Sequence, residues 1–180
     1  MSLEELREQN IRLVTEKALE CFIKNGINNT RVSEIAAESG LTQRSVFRYF
    51  PSKDDIVIAA AFCYWERTKA YIARELRRHT DDAQTGIEQI NIILNSYANM
   101  LFVDPEGIRF SLDAEVALYS VGKNAHVINR PPERYEAYKG PLSQAVRRGL
   151  ADGTVDPGAN IKQLYYNAYD SILGMMQRLT

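Results

Sequence analysis

Residues 30–56 read TRVSEIAAESGLTQRSVFRYFPSKDDI, and this stretch decides the fold. It holds two short, closely punctuated helical segments. Thr30 is placed to cap a helix running to Ser39, with Val32, Ile35 and Ala36 facing inward. Gly40 turns the chain, Leu41 plugs the corner, and Thr42 offers a second cap whose hydroxyl reaches the amide of Ser45. The next helix covers residues 43–50. At about 100° per residue, Val46, Tyr49 and Phe50 fall on one side and Arg44, Ser45, Phe47 and Arg48 on the other. One side anchors, and the other is left to face outward. Pro51-Ser52 then breaks the chain, and Ser52 with Asp55 forms an S-x-x-D capping pattern that starts a long helix reaching Arg78.

Outward from this stretch the pattern stays helical, with no repeats and no strand-like alternation. Before it, Ile11, Val14, Ala18 and Phe22 line one face of a first helix that Asn25-Gly26 ends. After it, residues 56–65 are apolar or aromatic throughout, so the long helix must be covered on more than one side and is expected to connect two domains. A fifth helix carries Ile87, Ile90, Leu94, Tyr97 and Leu101 in register. Asp104-Pro105-Glu106 opens a sixth with Ile108, Leu112 and Val116 inward. A short seventh is placed within 123–132, before the stop at Asn129-Arg130-Pro131-Pro132. An eighth covers 132–150, kinked or split at Gly140-Pro141. The last carries Leu164, Ala168, Ile172, Met175 and Leu179 in one stripe, widened by Tyr165, Tyr169 and Met176. The expected fold is therefore all-α, with about nine helices.

Composition narrows the class. The chain has 180 residues, 45% of them apolar, and no run near the roughly 18 apolar residues of a membrane span. Its start, MSLEELREQN, is polar and acidic, without the apolar core of a secretory signal, so a cytoplasmic location is expected. Cys21 and Cys63 sit inside helical apolar patterns and read as small buried hydrophobes, neither a disulfide nor a metal site. With His79 and His126 the only histidines, and no metal-ligand spacing, phosphate loop or nucleophile elbow, the sequence gives little support to an enzyme and implies no cofactor. The net charge of −1 hides a local feature. Residues 39–53 hold Arg44, Arg48 and Lys53 with no acid, a short basic element suited to a phosphate backbone.

The ungapped series Gly26, Val32-x-x-Ile35-Ala36, Ser39-Gly40-Leu41-Thr42, Phe47-x-Tyr49-Phe50 and Ser52-Lys53 resembles the helix-turn-helix signature of the TetR family of bacterial regulators. The detailed resemblance covers about the first 56 residues; beyond them the agreement is in helix count, length and closing helix. It implies a three-helix DNA-binding head, residues 1–51, followed by a helical effector-binding and dimerisation domain, residues 52–180. Two arginines four apart on a lone helix are commonly just a solvated face; here the caps, the Gly turn and the acid-free side favour a reading face.

In such a head the third helix presents its N-terminal residues to base edges in the major groove. Arg44 is the first candidate for base readout, since a guanidinium bonds O6 and N7 of guanine together, and Gln43 is the second, because its amide matches adenine. Thr42 and Ser45 are short hydroxyl donors for phosphate or groove contacts. The resemblance assigns Tyr49 and Lys53 as backbone clamps, and Thr30 with the start of the second helix as a source of amides for a phosphate. Arg48 can do either job. Two positions depart from the family pattern: Phe47 stands where a Tyr is frequent, leaving packing or a thymine methyl contact, and Arg31 replaces a frequent Thr, weakening a cap but adding charge.

The resemblance also implies a ligand pocket and a dimer interface. Tyr64, Trp65, Tyr71, Tyr97, Phe102, Phe110, Tyr119 and His126 are candidates to wall a pocket for a small, mostly apolar effector, or else are core and surface residues. Leu164, Tyr165, Ala168, Tyr169, Ile172, Met175 and Met176, with the eighth helix, form the candidate homodimer face. The expected function is a regulator, a repressor by family habit, that reads a palindromic operator as a dimer. The alternative is a helical small-molecule-binding module without specific operator binding.

Overall fold

Ser2 and Glu5 close a reciprocal capping box: Ser2 Oγ accepts from the Glu5 amide at 3.1 Å, and a Glu5 carboxylate oxygen accepts from the Ser2 amide at 2.6 Å. This box starts helix α1 (Leu3–Asn25), and Gly26 ends it at φ 80°, in the left-handed region that residues with a Cβ avoid. The computed structural model describes residues 2–79, 84–120 and 140–160, with residues 163, 167, 171 and 174 beyond them; of 118–120 only the backbone is described. Six further helices follow: α2 (Val32–Glu38), α3 (Gln43–Tyr49), α4 (Lys53–His79), α5 (Gly86–Val103), α6 (Pro105–Ser120) and α7 (Pro141–Asp152). Among the described residues there is no strand, and the fold is all-α as expected. The expected helix within 123–132 and the apolar stripe of the last helix lie outside the described residues.

The chain divides into two compact units, one of Met1–Trp65 with Arg109–Arg130 and one of Glu66–Ile108 with Pro131–Thr180. The cut falls inside α4, whereas the division expected from function falls at residue 51, just before that helix. In the first unit Val14, Ala18, Leu19 and Phe22 of α1 are buried, as are Ile35 of α2, Val46 of α3 and Ile56, Val57, Ala60 and Ala61 at the apolar start of α4. From Ile56 to Trp65 every residue of α4 is buried or half-buried, as its all-round apolar character requires. Phe110 of α6 stacks on Phe22 with ring centres 6.0 Å apart and meets Tyr64 edge-on at 6.1 Å. Cys21 is buried and Cys63 half-buried. Burial pushes the Cys21 thiol above its ordinary value.

The second unit has its own core of Ile72, Ile93, Leu142, Ala145, Val146 and Val155. Two expected apolar stripes are corrected here and at α6. On α5 Ile90 and Tyr97 of the expected stripe pack against this core, but Ile87 is exposed and the fully buried positions are Gly86, Gln89, Ile93, Ser96 and Met100. The reason is close packing: a Cβ on Gly86 would collide with backbone atoms of Gly149 in α7, so the small residues set which face turns inward. On α6 Ile108 is buried as expected, but Val116 is 69% exposed and Leu112 half-buried; Phe110 and Ala114 take the interior instead. Gly140-Pro141 marks the start of α7, with Gly140 at the N-cap and Pro141 in the first turn; residues 132–139 lie outside the described residues.

The start of α5 is capped from within its own turn and from the far end of α7. Thr85 and Glu88 exchange a capping box. The Asp152 carboxylate accepts from the Gly86 amide at 2.7 Å and from the Thr154 hydroxyl at 2.6 Å, and Thr154 Oγ1 accepts from the Ile87 amide at 3.2 Å. The Thr154 hydroxyl and the Gly86 amide hold the Asp152 carboxyl below its ordinary value, and the Thr85 hydrogen bonds do the same for Glu88. Both carboxylates therefore stabilise the fold above their unfolded values of about 4, and that contribution fades as the pH falls through them. Asp152→Asn is expected to flatten the acid limb of a urea-midpoint profile below about pH 5; an unchanged limb would show that the cap contributes nothing.

Candidate nucleic-acid interface

The face presented by α3 follows from a cap and two anchors. Thr42 Oγ1 accepts from the Ser45 amide at 3.2 Å, as its position in the sequence leads one to expect. Val46 and Phe50 are buried, Tyr49 is half-buried, and Thr42, Gln43, Arg44, Phe47 and Arg48 are exposed. Gln43 and Arg44 make no side-chain hydrogen bond or ion pair to any described residue, so their donors remain available. Ser45 is half-buried and its hydroxyl lies 3.0 Å from that of Thr42, which occupies both short side chains with each other. Gly40, at φ 65°, and the Leu41 amide bonded to the Ala36 carbonyl at 2.9 Å set the turn between α2 and α3.

Thr30 is corrected. It is 1% exposed, and its hydroxyl donates to the carbonyls of Gly26 at 2.8 Å and Cys21 at 3.2 Å, so it ties the turn back onto α1 instead of capping α2. The cap position belongs to Arg31, whose amide is taken by the Glu34 carboxylate at 3.1 Å. The Arg31 side chain is exposed beside α2.

Tyr49 carries the densest polar geometry of the head. Its hydroxyl oxygen accepts from Asn10 Nδ2 on α1 and from an Arg48 guanidinium nitrogen, each at 3.2 Å, and the Arg48 guanidinium stands 5.2 Å from the ring centre. Those donors pull the phenol below its ordinary value, Arg48 most strongly. Asn10 was missed by sequence reasoning, because a single Asn on the polar side of α1 carries no periodic or motif signal. Lys53 is the first residue of α4 and half-buried. It lines a cleft of about 480 Å³ with the turn 26–29, Asp54, Val57 and residues of α6. Burial pushes its ammonium below the ordinary value, against the pull of Asp54 and Glu34. The capping pattern before it forms as expected, with Ser52 Oγ accepting from the Asp55 amide at 3.2 Å and the Asp55 carboxylate accepting from the Ser52 amide at 3.0 Å.

The candidate pocket residues are spread over both units. Tyr64 and Trp65 are buried in the first. Phe110 is buried in the same unit, in contact with the rings of Phe22 and Tyr64. In the second unit Tyr71 and Tyr97 are half-buried against its core, and Tyr71 has the Arg74 guanidinium 5.5 Å from its ring centre. Phe102 is 84% exposed. The Tyr119 side chain and His126 lie outside the described residues, as do the dimer candidates Leu164, Tyr165, Ala168, Tyr169, Ile172, Met175 and Met176. Thr68, which has no sequence signal, is 6% exposed in the second unit, and its hydroxyl has no hydrogen-bond partner among the described residues.

Residues 14–60 match the sequence profile of the bacterial regulatory proteins, tetR family. The chain is 30% identical over 90 residues to an uncharacterized HTH-type transcriptional regulator, YuxN, of Bacillus subtilis (strain 168); the match covers 50% of this chain but only 30% of that relative. It is 21% identical over 149 residues to the fatty acid metabolism regulator protein of the same organism, 83% of this chain and 72% of that one. The crystal structure of the transcriptional regulator FadR from Bacillus subtilis in complex with stearoyl-CoA superimposes with a TM-score of 0.63 at 19% identity, over 92% of this chain and 84% of that chain. At that identity the likeness shows the fold. No described helix is long and apolar enough to cross a membrane.

Proposed function

We propose, from the match of residues 14–60 to the profile of the bacterial regulatory proteins of the tetR family, that the chain is a cytoplasmic repressor that reads a palindromic operator as a homodimer and is released by a small, mostly apolar effector. The observation that carries the DNA half of this proposal is the sidedness of α3. Val46 and Phe50 hold it from behind while Gln43, Arg44, Phe47 and Arg48 face outward, with no acid from residue 39 to residue 53. A duplex is the partner that matches a short, basic, capped helix of this kind. Arg44 and Gln43 read bases; Arg48, Tyr49, Arg31 and Lys53 hold phosphates; Phe47 packs on a thymine methyl.

For the effector, the likeness to a regulator solved with stearoyl-CoA favours a long apolar ligand with a polar end. The buried hydroxyl of Thr68 is a group that such an end would satisfy. For the homodimer, the support is the apolar stripe of Leu164, Ala168, Ile172 and Met175 read from the sequence.

Selection of binding sites from random duplexes supplies the operator for the test. Arg44→Ala is expected to weaken the selected duplex by about 1–3 kcal/mol and to relax one base position. Lys53→Ala is expected to weaken all duplexes alike and to lower the slope of log affinity against log salt by about one. Identical behaviour of the two variants would refute the division between reading and clamping. Absence of salt-dependent duplex binding by the unaltered chain would leave only a helical small-molecule-binding module.

A further inference from the structure

We infer that Asn10, outside the helix-turn-helix, is a positioning residue for DNA: together with Arg48 it fills the acceptor sites of the Tyr49 hydroxyl, so that the single phenolic proton is left to point at a backbone phosphate. The inference rests on the proposed role of Tyr49 as a backbone clamp. A phenolic oxygen offers two lone pairs and one proton. Both hydrogen bonds that Tyr49 makes among the described residues arrive as donors, from the Asn10 amide and the Arg48 guanidinium, each at 3.2 Å. Both acceptor sites are then used, and the proton has no partner on either side. Two donors at one oxygen also withdraw electron density from it, which makes the remaining O–H a stronger donor toward an anion. The fall of the phenol below its ordinary value points the same way, with Arg48 the larger cause and Asn10 the next.

The two donors differ in what they fix. Arg48 is adjacent to Tyr49 and moves with α3. Asn10 is 39 residues away on α1, so its hydrogen bond refers the phenol to a different helix. A change in the tilt of α3 against α1 would break this bond before it disturbed the buried anchors Val46 and Phe50. The clamp is thereby made sensitive to the orientation of the reading helix.

The test is a double-mutant cycle on the full chain, read by affinity for the selected duplex. Asn10→Leu keeps the size of the side chain and removes its N–H. It is expected to weaken binding about fivefold in the unaltered chain and less than about twofold in a Tyr49→Phe background. Asn10→Asp would accept the phenolic proton and face the phosphate with a like charge, and is expected to cost at least about tenfold. Because a merely structural Asn10 would act through stability, urea midpoints of these variants are measured beside the affinities and are expected to coincide. The ¹³Cζ resonance of Tyr49, assigned by its loss in Tyr49→Phe, should titrate at higher pH in Asn10→Leu. If Asn10→Leu binds as tightly as the unaltered chain, or loses equally in both backgrounds, the inference falls while the DNA assignment stands. If the unaltered chain binds no duplex at low salt, both fall together.

Discussion

Truncation of Phe110 to Ala is expected to destabilise the protein by about 3–5 kcal/mol, one of the two largest effects a single side chain carries here. Phe110 is 2% exposed, and its ring joins three helices of one unit: it stacks flat on Phe22 of α1 and meets the edge of Tyr64 on α4. Each such aromatic pair contributes about 0.5–1.5 kcal/mol beyond the area it buries, and removal of the ring leaves a void beside Phe22 and Tyr64. A urea-midpoint shift measures the loss. Phe110→Leu keeps most of the apolar volume while dropping both ring pairs and should cost about 1–3 kcal/mol. A residue that only walls an effector pocket would behave in the opposite way, with weakened effector binding and a nearly unchanged midpoint. Because α1 backs the same unit as the reading helix, partial loss of Phe110 packing is also expected to loosen amide protection along α1 before global unfolding.

What could be read from the amino acids alone was what depends on neighbours close in sequence. The cap at Thr42, the box at Ser52 and Asp55, the turn at Gly40 and the two sides of α3 are decided within four residues, and each forms as its residues require. The all-round burial of residues 56–65 was legible for a related reason: an uninterrupted apolar run leaves no polar side to face water. Failures came where a distant segment chose. Thr30 has the chemistry of a cap, but the carbonyls of Cys21 and Gly26 lie within reach and take its hydroxyl inward. On α5 the hydrophobic pattern favours a face through Ile87, yet the glycine opposite Gly149 allows the backbones to approach so closely that Gln89 and Ser96 are buried in its line. On α6 the periodicity favours Val116, while the ring of Phe110 finds better partners one face away. Asn10 was invisible for the same reason, since its partner is on another helix.

Gly86→Ala is expected to cost about 3 kcal/mol, although in the interior of an isolated helix a Gly→Ala change stabilises by about 1 kcal/mol. The added methyl would overlap the backbone nitrogen and Cα of Gly149 and lie 2.7 Å from the Ala145 carbonyl oxygen. These atoms belong to a helix backbone and cannot swing aside as the tip of a side chain can, so α5 and α7 must separate. Separation would also lengthen the hydrogen bonds from the Gly86 and Ile87 amides to Asp152 and Thr154, and would loosen Ile93 against Leu142 and Val146. The effect is therefore concentrated in the second unit. Gly40→Ala is the control: its added methyl meets nothing within 4 Å and pays only for φ 65°, about 1–2 kcal/mol. Hydrogen exchange should show protection falling first along α5 and α7 in Gly86→Ala and around the turn before α3 in Gly40→Ala. The helix-packing argument would be refuted by a Gly86→Ala protein as stable as the unaltered chain, because no helix-propensity gain offsets a clash between backbones.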